Sequence, residues 1–156
     1  MHILNVPACG SDYRVTTSDY LERYPMEPSP EKYILFVDDE PGIRATLPPI
    51  LRRSGFQVCV AATVQEAITA MYMQQFDLLL TDLNIDREGD GFQLVRSMHE
   101  ANPRCITVIL TAYPSIESAI EGIHQALDDY VLKPTDTDAL IAMLSRRLAR
   151  NRELSR

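Results

Sequence analysis

The feature that most constrains this chain is a fivefold alternation between short apolar runs and longer segments of helical periodicity. Each run is nearly all apolar and of strand length, which is typical of strands buried on both faces of a parallel sheet. The runs are Tyr33–Val37, Val58–Ala61, Leu78–Leu80, Ile106–Leu110 and Tyr130–Leu132. This alternation over about 120 residues predicts an α/β fold, a doubly wound parallel sheet with right-handed crossovers.

The intervening segments carry apolar residues at spacings of three and four, as amphipathic helices do. Thr63 followed by Glu66 predicts a capping box at the start of the second helix. Apolar positions predict a third helix over Gly91–Asn102, with Phe92, Val95 and Met98 pointing inward, and a fifth over about Asp136–Ala149.

The first helix is expected from about Pro41 to Arg53, but Pro48 and Pro49 fall in its middle. An interior proline costs on the order of 3 kcal/mol and kinks or breaks a helix. We therefore expect a break at this point, or a shortened first helix.

Composition limits the class of protein. The length of 156 residues suits one globular domain. The formal net charge of −7 disfavours nonspecific nucleic-acid binding. No apolar run approaches the roughly 18 residues of a membrane span, and the N-terminus does not resemble a signal peptide. We therefore expect a cytoplasmic location. Cys9, Cys59 and Cys105 include no CxxC motif, so we expect reduced thiols.

The two ends of the chain differ from its centre. Residues 1–31 lack periodicity and contain three prolines between positions 25 and 30, which predicts a flexible leader; Met26 is an alternative start. We predict a folded domain over 32–150 and a short tail over 151–156. The arginines near the end of the last helix suit the helix dipole, with an acidic partner or nucleic acid as the alternative.

Polar residues follow four of the predicted strands at their carboxyl ends, where α/β sheets bind ligands. Asp38 and Asp39 follow the first strand and Asp82 the third, while Thr111 ends the fourth and Lys133 follows the fifth. Clustered carboxylates must bind a cation or share protons, and oxygen ligands favour Mg²⁺ or Mn²⁺ over zinc. A carboxylate beside such an ion can attack phosphorus, with ammonium and hydroxyl groups satisfying the phosphoryl oxygens.

The motifs at these strand ends match a known family. Val-Asp-Asp-Glu, the Thr-Asp ending, Leu-Thr-Ala and Asp-Asp-Tyr-Val-Leu-Lys-Pro resemble the receiver domains of two-component response regulators. The resemblance covers about residues 32–150 and implies a (βα)5 flavodoxin-like fold with strand order 2-1-3-4-5. It further implies a Mg²⁺-dependent phosphoacceptor switch rather than an enzyme that acts on a separate substrate.

The resemblance also implies roles for single residues at the metal. Asp82 resembles the phosphoacceptor, which takes its phosphoryl group from a kinase phosphohistidine. Asp39 resembles the direct metal ligand and Asp38 the ligand that acts largely through water. Asn84 lies where the family uses a backbone carbonyl as a metal ligand.

Other implied roles surround the phosphoryl group. Lys133 resembles the lysine that pairs with it, and a cis peptide bond is expected before Pro134. Thr111 resembles the switch hydroxyl and Tyr130 the aromatic that turns inward with it; a half-buried strand aromatic is the alternative for Tyr130. Tyr113 and the residue two beyond the acceptor, Asn84, flank the approach of hydrolytic water and are expected to set the lifetime in opposite directions.

Two segments depart from the family pattern. After the acceptor the usual Met-Pro is missing, and Asp90-Gly91 comes one residue late, so the loop is longer and more acidic. The Gly-Ala expected before the fifth strand is Ala126-Leu127, so the fourth helix is expected to end without a glycine cap.

Only 23 residues follow Lys133, so we expect a stand-alone receiver whose output is protein contact through the fourth helix, fifth strand and fifth helix. The implied partners are a histidine kinase or phosphotransfer protein and an unknown downstream protein, without direct DNA binding; a phosphorylation-dependent homodimer stays open. The rivals are a phosphorylation-independent interaction module and a metal-dependent phosphohydrolase. Against the second, Asp82-Leu83-Asn84 lacks the second aspartate of the haloacid-dehalogenase pattern.

Overall fold

The computed structural model describes residues 31–154, and the rest of the predicted leader and the last two residues lie outside this part. Five strands and five helices alternate within it. The strands are β1 Lys32–Val37, β2 Phe56–Ala61, β3 Leu78–Thr81, β4 Ile106–Thr111 and β5 Asp129–Leu132. The helices are α1 Pro41–Arg53, α2 Val64–Met73, α3 Asp90–Ala101, α4 Ile116–His124 and α5 Thr137–Leu154.

The sheet has the predicted topology. All neighbouring strands pair in parallel in the order β2-β1-β3-β4-β5. β3 and β4 are buried along their whole length, whereas the edge strands β2 and β5 are only partly covered. One core cluster packs under α2 and α3, and the other packs under α1 and α5. The helices therefore cover both faces, which leaves the carboxyl ends of the strands as the exposed edge where a ligand site can form. Within residues 31–154, no helix combines the length and apolar content that a membrane span requires.

Helix α1 corrects one prediction. It continues without a break over 13 residues with both Pro48 and Pro49 inside it, so the expected break is wrong. Each proline removes one intrahelical hydrogen bond, but α1 is anchored by burial. Leu51 is fully buried, Pro48 is buried, and Ile43 and Leu47 pack against the core. Tertiary packing of an apolar face outweighs the local preference against proline.

Side chains cap the starts of two helices. The Thr63 hydroxyl accepts a hydrogen bond from Glu66 N at 3.1 Å, and the Glu66 carboxylate accepts from Ala62 N at 2.7 Å. The predicted cap on α2 is therefore present, although the return bond reaches one residue before the cap. α4 begins with a complete capping box between Ser115 and Ser118. Both caps satisfy backbone N–H groups that a helix start would leave unpaired.

The end of α4 uses an alanine where a glycine is usual. Ala126 has φ 54°, in the left-handed region. Its N–H donates to Ile123 O at 3.1 Å, and Leu127 N donates to Gly122 O at 3.0 Å. These two bonds are those of a Schellman motif, so the helix ends in the usual geometry despite the missing glycine.

Helix α3 agrees with its prediction to within one residue at each end. It buries Phe92, Val95 and Met98 as expected, together with Gly91 and Leu94. Its apolar face therefore holds the start of the helix firmly against the end of β3.

Helix α5 continues to Leu154, five residues beyond its expected end at Ala149. The first residues of the predicted tail are therefore its last turn. One of its arginines, Arg147, donates to Asp129 at 3.0 Å, so part of the basic stretch serves to pack α5 on β5.

The two cysteines within the described residues, Cys59 and Cys105, are free thiols. Cys105 is buried, and burial raises its pKa to about 12. Burial also raises the pKa of the partly buried Cys59 thiol. Both groups stay protonated at neutral pH, as expected of packing residues.

Candidate functional site

Two neighbouring strands bring the acidic residues together. β1 and β3 pair with Val37 opposite Thr81, so Asp38 and Asp82 leave the sheet side by side. Asp82 N donates to Val37 O at 2.8 Å, and Asp38 N donates to Ala61 O at 3.2 Å. Both acidic residues therefore continue the hydrogen-bond ladder of the sheet by one residue beyond their strands.

The three predicted metal ligands form one cluster. Asp38, Asp39 and Asp82 each offer a carboxylate oxygen, and these oxygens all lie within 4.8 Å of one another. Asp38 is 1% exposed and the Asp82 side chain 15%, whereas Asp39 faces solvent. An all-oxygen donor set at this spacing fits a hard divalent cation such as Mg²⁺ and does not suit zinc.

Lys133 supplies a cation to the same cluster. Its Nζ lies 2.6 Å from Asp38 Oδ2 and 3.6 Å from Asp82 Oδ2. Its backbone N–H donates to Thr111 O at 2.8 Å, and the peptide bond to Pro134 is cis. β4 therefore fixes the backbone from which the ammonium group reaches across to the carboxylates.

Asp82 is the carboxyl whose ionisation this site disfavours. Burial is the largest cause that raises its pKa, and the charges of Asp38 and Asp39 raise it further. The Lys133 ammonium and the Leu83 N–H, which donates to Asp82 Oδ1 at 2.8 Å, act in the opposite direction without cancelling the rise. A divalent cation in the cluster would offset the repulsion and favour the ionised, nucleophilic form.

Thr111 and Tyr130 occupy adjacent strands at the same edge but do not contact each other through a hydrogen bond. Thr111 is fully buried, and its hydroxyl accepts from Tyr113 N at 3.2 Å. Tyr130 is half-buried, pairs with Ile109 in the sheet, and its phenol forms a 2.7 Å hydrogen bond with Ser118 Oγ of α4. Each predicted switch residue thus has an existing partner that it must leave in order to move.

The loop after Asp82 folds back on itself. Asn84 Oδ1 accepts from Gly89 N at 3.0 Å, and Gly89 adopts φ 80°. The amide oxygen of Asn84 is therefore engaged within the loop. The extra residue of this loop, relative to the family pattern, is therefore accommodated in a turn closed by a hydrogen bond.

An open cleft of about 570 Å³ leads to Asp82. Tyr113 stands at its edge with 79% of its surface exposed. The charged residues that line the cleft are Asp39, Glu40, Asp82, Asp86, Glu88, Arg87 and Lys133. The cleft is thus open to solvent and predominantly acidic, with two cations.

Three residues that shape the site were not predicted. A Cβ at Gly91 would collide with the Asp82 carbonyl oxygen, Arg44 Nη1 donates to Asp38 O at 3.0 Å, and Ser118 holds Tyr130. The Asp90-Gly91 pair was a usable signal for Gly91. Arg44 and Ser118 meet their partners only through the tertiary fold, and no local pattern marks them.

A family model for the response regulator receiver domain matches residues 34–145. The chain belongs to this family. It is a receiver domain of a two-component response regulator. The family match confirms the family predicted from the strand-end motifs, and the strand order confirms the predicted fold.

Relatives of this receiver domain include longer regulators. The transcriptional regulatory protein ZraR of Escherichia coli (strain K12) is 36% identical over 116 residues, which cover 74% of this chain and 26% of ZraR. The chain thus spans about a quarter of the length of this curated relative.

Solved receiver structures superpose on most of the chain. A CheY-like receiver domain protein from Methanospirillum hungatei JF-1 gives a TM-score of 0.74 at 28% identity, covering 79% of this chain and 98% of that one. The BeF₃-activated DrrB receiver domain gives 0.69 at 25% identity, covering 76% and 98%.

Proposed function

We propose that this receiver domain is a phosphoacceptor signalling switch in which Asp82 takes a phosphoryl group from a phosphohistidine when Mg²⁺ is bound. One observation carries the proposal. The Asp82 carboxylate lies in an open cleft, within 4.8 Å of oxygens of Asp38 and Asp39 and 3.6 Å from Lys133 Nζ. A nucleophile, a metal-binding cluster and an ammonium group are therefore together at one strand edge.

The transfer needs few groups because its nucleophile is already a carboxylate. An Asp82 oxygen attacks phosphorus and forms the O–P bond, while the P–N bond to the donor imidazole breaks and its electron pair returns to nitrogen. Lys133, now 2.6 Å from Asp38, turns to the phosphoryl oxygens and neutralises part of their charge. Positioning and charge stabilisation provide most of the catalysis in such transfers.

The metal would be held by Asp38, Asp39, Asp82 and the backbone carbonyl of Asn84. When bound, Mg²⁺ offsets the negative charge of the phosphoryl oxygens and of the carboxylates around them. The chain's own part is to keep the carboxylate oxygens close before the ion arrives, at the cost of the mutual repulsion that raises the pKa of Asp82.

The switch residues connect the phosphoryl group to the face formed by α4, β5 and α5. The Thr111 hydroxyl exchanges its bond from Tyr113 N for one to the phosphoryl group, and Tyr130 then follows it away from Ser118. Apolar side chains on this face are already exposed, with Ile116 at 75% and Leu132 at 52%. They suit a downstream protein or a phosphorylation-dependent homodimer.

We propose a histidine kinase or a phosphotransfer protein as the donor, which places the switch in the cytoplasm. The acidic cleft and the net charge of −7 favour protein partners over direct contact with DNA.

The test is to incubate the chain with acetyl phosphate and Mg²⁺ and weigh the intact protein. The wild type is expected to gain one phosphoryl group and Asp82→Asn none. Asp138→Asn, which removes the same charge from an exposed position on α5, serves as the matched control and is expected to label normally. Chelation should stop labelling, and Asp39→Ala should weaken Mg²⁺ binding more than Asp38→Ala.

The same experiment separates the alternatives. Labelling of Asp82→Asn at the wild-type rate would show that the acceptor assignment is wrong. A wild type that never gains mass favours a phosphorylation-independent interaction module, and turnover of an added phosphate ester favours a phosphohydrolase. Thr111→Ala should still accept phosphate, but its amide shifts should stay confined to the acceptor loop instead of spreading to α4 and β5.

A further inference from the structure

Among the described residues, Arg87 and Lys133 are the two cations that line the cleft at Asp82, and the proposed switch uses only Lys133. Arg87 lies in the longer loop after Asp82 and lines the same cleft as Asp82 and Lys133. Within residues 31–154 its guanidinium forms no ion pair. Its chain neighbours Asp86 and Glu88 are both acidic and line the same cleft.

The backbone at Arg87 is fixed by the loop. Asp90, the first residue of α3, accepts from Arg87 N at 2.6 Å and from Asp86 N at 3.0 Å through the same oxygen, Oδ2. Asp86 in turn accepts from Val64 N at 3.2 Å, at the start of α2. Ile85, one residue earlier, is buried. The loop is thus bonded to two helices and packed into the core. These contacts fix the backbone from which the Arg87 side chain extends.

The charge balance of the cleft calls for a second cation once the acceptor is occupied. Lys133 is the other cation that lines it, and its ammonium is already shared between Asp38 and Asp82. Phosphorylation replaces the single negative charge of the Asp82 carboxylate with the two of an acyl phosphate, in a cleft wall that also holds Asp39 and other carboxylates. A planar guanidinium is the side chain best matched to two phosphoryl oxygens at once.

We propose that Arg87 binds the solvent-facing oxygens of the phosphoryl group on Asp82, opposite Lys133. This inference rests on the proposed function and assigns a second phosphoryl-binding residue to the same site. In this arrangement Lys133 neutralises the group from the sheet side and Arg87 from the loop side. The longer loop therefore contributes a residue that binds the phosphoryl group.

The test measures binding of beryllofluoride, a non-covalent mimic of the phosphoryl group, to the full chain at saturating Mg²⁺ by amide NMR titration. Arg87→Ala and the polar but uncharged Arg87→Gln are expected to weaken binding by about three- to tenfold. Arg87→Lys should retain part of the affinity because it keeps the charge but not the fork. Arg96→Ala, an exposed arginine of α3, is the control for loss of one positive charge and should bind as the wild type does.

Two further measurements separate binding from a structural effect. The difference between Arg87→Ala and Arg96→Ala should shrink as ionic strength rises, since solvent-exposed charge pairs are screened. The urea midpoints of the two variants should stay equal to that of the wild type, because both side chains are exposed.

The outcomes are distinct. If the wild type binds beryllofluoride and the Arg87 variants bind as tightly as Arg96→Ala, the assignment of Arg87 is wrong while the proposed function stands. If the wild type itself neither binds beryllofluoride nor labels with acetyl phosphate, the proposed function fails. A salt-independent loss in Arg87→Gln accompanied by a lower urea midpoint also overturns the assignment, since it points to damage to the loop.

Discussion

Replacing Gly91 with alanine should destabilise the fold and slow phosphorylation, although the same change usually helps a helix. Gly91 is the second residue of α3, and in a helix interior alanine is better than glycine by roughly 0.5–1 kcal/mol. Its surroundings reverse the sign. A Cβ there would collide with the Asp82 carbonyl oxygen and lie 2.9 Å from Leu83 Cα and 3.1 Å from Leu83 O.

The magnitude follows from the movement required. Carbon atoms pack at about 3.5–4.0 Å, so α3 and the acceptor backbone must separate by more than about half an ångström. Overpacking of a tight site costs about 1–3 kcal/mol, which exceeds the gain in helix propensity. We therefore expect a net loss of about 1–2 kcal/mol. The displaced segment contains Asp82, and misplacement of a reacting group by about 1 Å costs about a hundredfold, so labelling should slow by about tenfold.

Gly42 provides the matched control. It is the second residue of α1, is exposed, and has nothing within 4 Å of a Cβ, so Gly42→Ala should stabilise by about 0.5–1 kcal/mol. Urea denaturation measures the free energies of unfolding, and acetyl phosphate labelling measures the rates. If Gly91→Ala is as stable as Gly42→Ala and labels at the wild-type rate, the prediction is wrong. The close approach of α3 to the backbone at Asp82 would then cost neither stability nor labelling rate.

Three further predictions concern charge, strain and lifetime. Asp82→Asn should stabilise the metal-free protein at neutral pH, because burial and the charges of Asp38 and Asp39 raise the pKa of Asp82 and the ionised carboxyl therefore opposes folding. In urea titrations this gain should begin to shrink as pH falls through the raised pKa of the folded state and should disappear below the pKa of the unfolded chain, where the carboxyl is protonated in both states; a gain independent of pH would contradict the reasoning. Ala126→Gly should stabilise by about 0.5–1 kcal/mol in thermal melts, since relief of left-handed strain exceeds the added backbone entropy, and a loss would mean that φ 54° carries no strain. Tyr113→Ala should shorten the life of the purified phosphoprotein by unshielding the cleft, a tenfold change corresponding to about 1.4 kcal/mol; unchanged or slower decay would make the loop after Asp82 the better candidate for the shield.

The features that the sequence predicted depend on patterns that survive tertiary folding. Buried parallel strands read as apolar runs whatever their neighbours, and carboxyl ends of such strands meet at one edge. Asp38, Asp39, Asp82 and Lys133 could therefore be placed together from their positions after the runs. The roles implied for them remain predictions that the labelling experiments test.

The features that the sequence did not predict depend on particular contacts. The prolines of α1 argued for a break, and the burial of Leu51 and Pro48 outweighed them. The shape of the longer loop is set by bonds from side chains to backbone N–H groups, such as Asn84 to Gly89. Such bonds form only when a specific turn brings the two groups together, so neither composition nor periodicity reveals them.

Because the site at Asp82 is assembled from separate strand ends, incompletely folded or truncated molecules differ from the complete fold in what they can bind. Lys133 and Asp38 meet across 95 residues of sequence, and Asp82 and Thr111 come from the strands between them. A copy in which β5 has detached keeps its carboxylates but loses the ammonium group, and a fragment that ends before β4 loses the hydroxyl as well. A ligand that needs the whole site therefore binds only molecules with the complete sheet. At a hundredfold excess over Kd it raises their free energy of unfolding by about 2.7 kcal/mol. Under the proposed function, partly unfolded copies would lack the groups that stabilise the phosphoryl group, so only the complete fold would carry the signal.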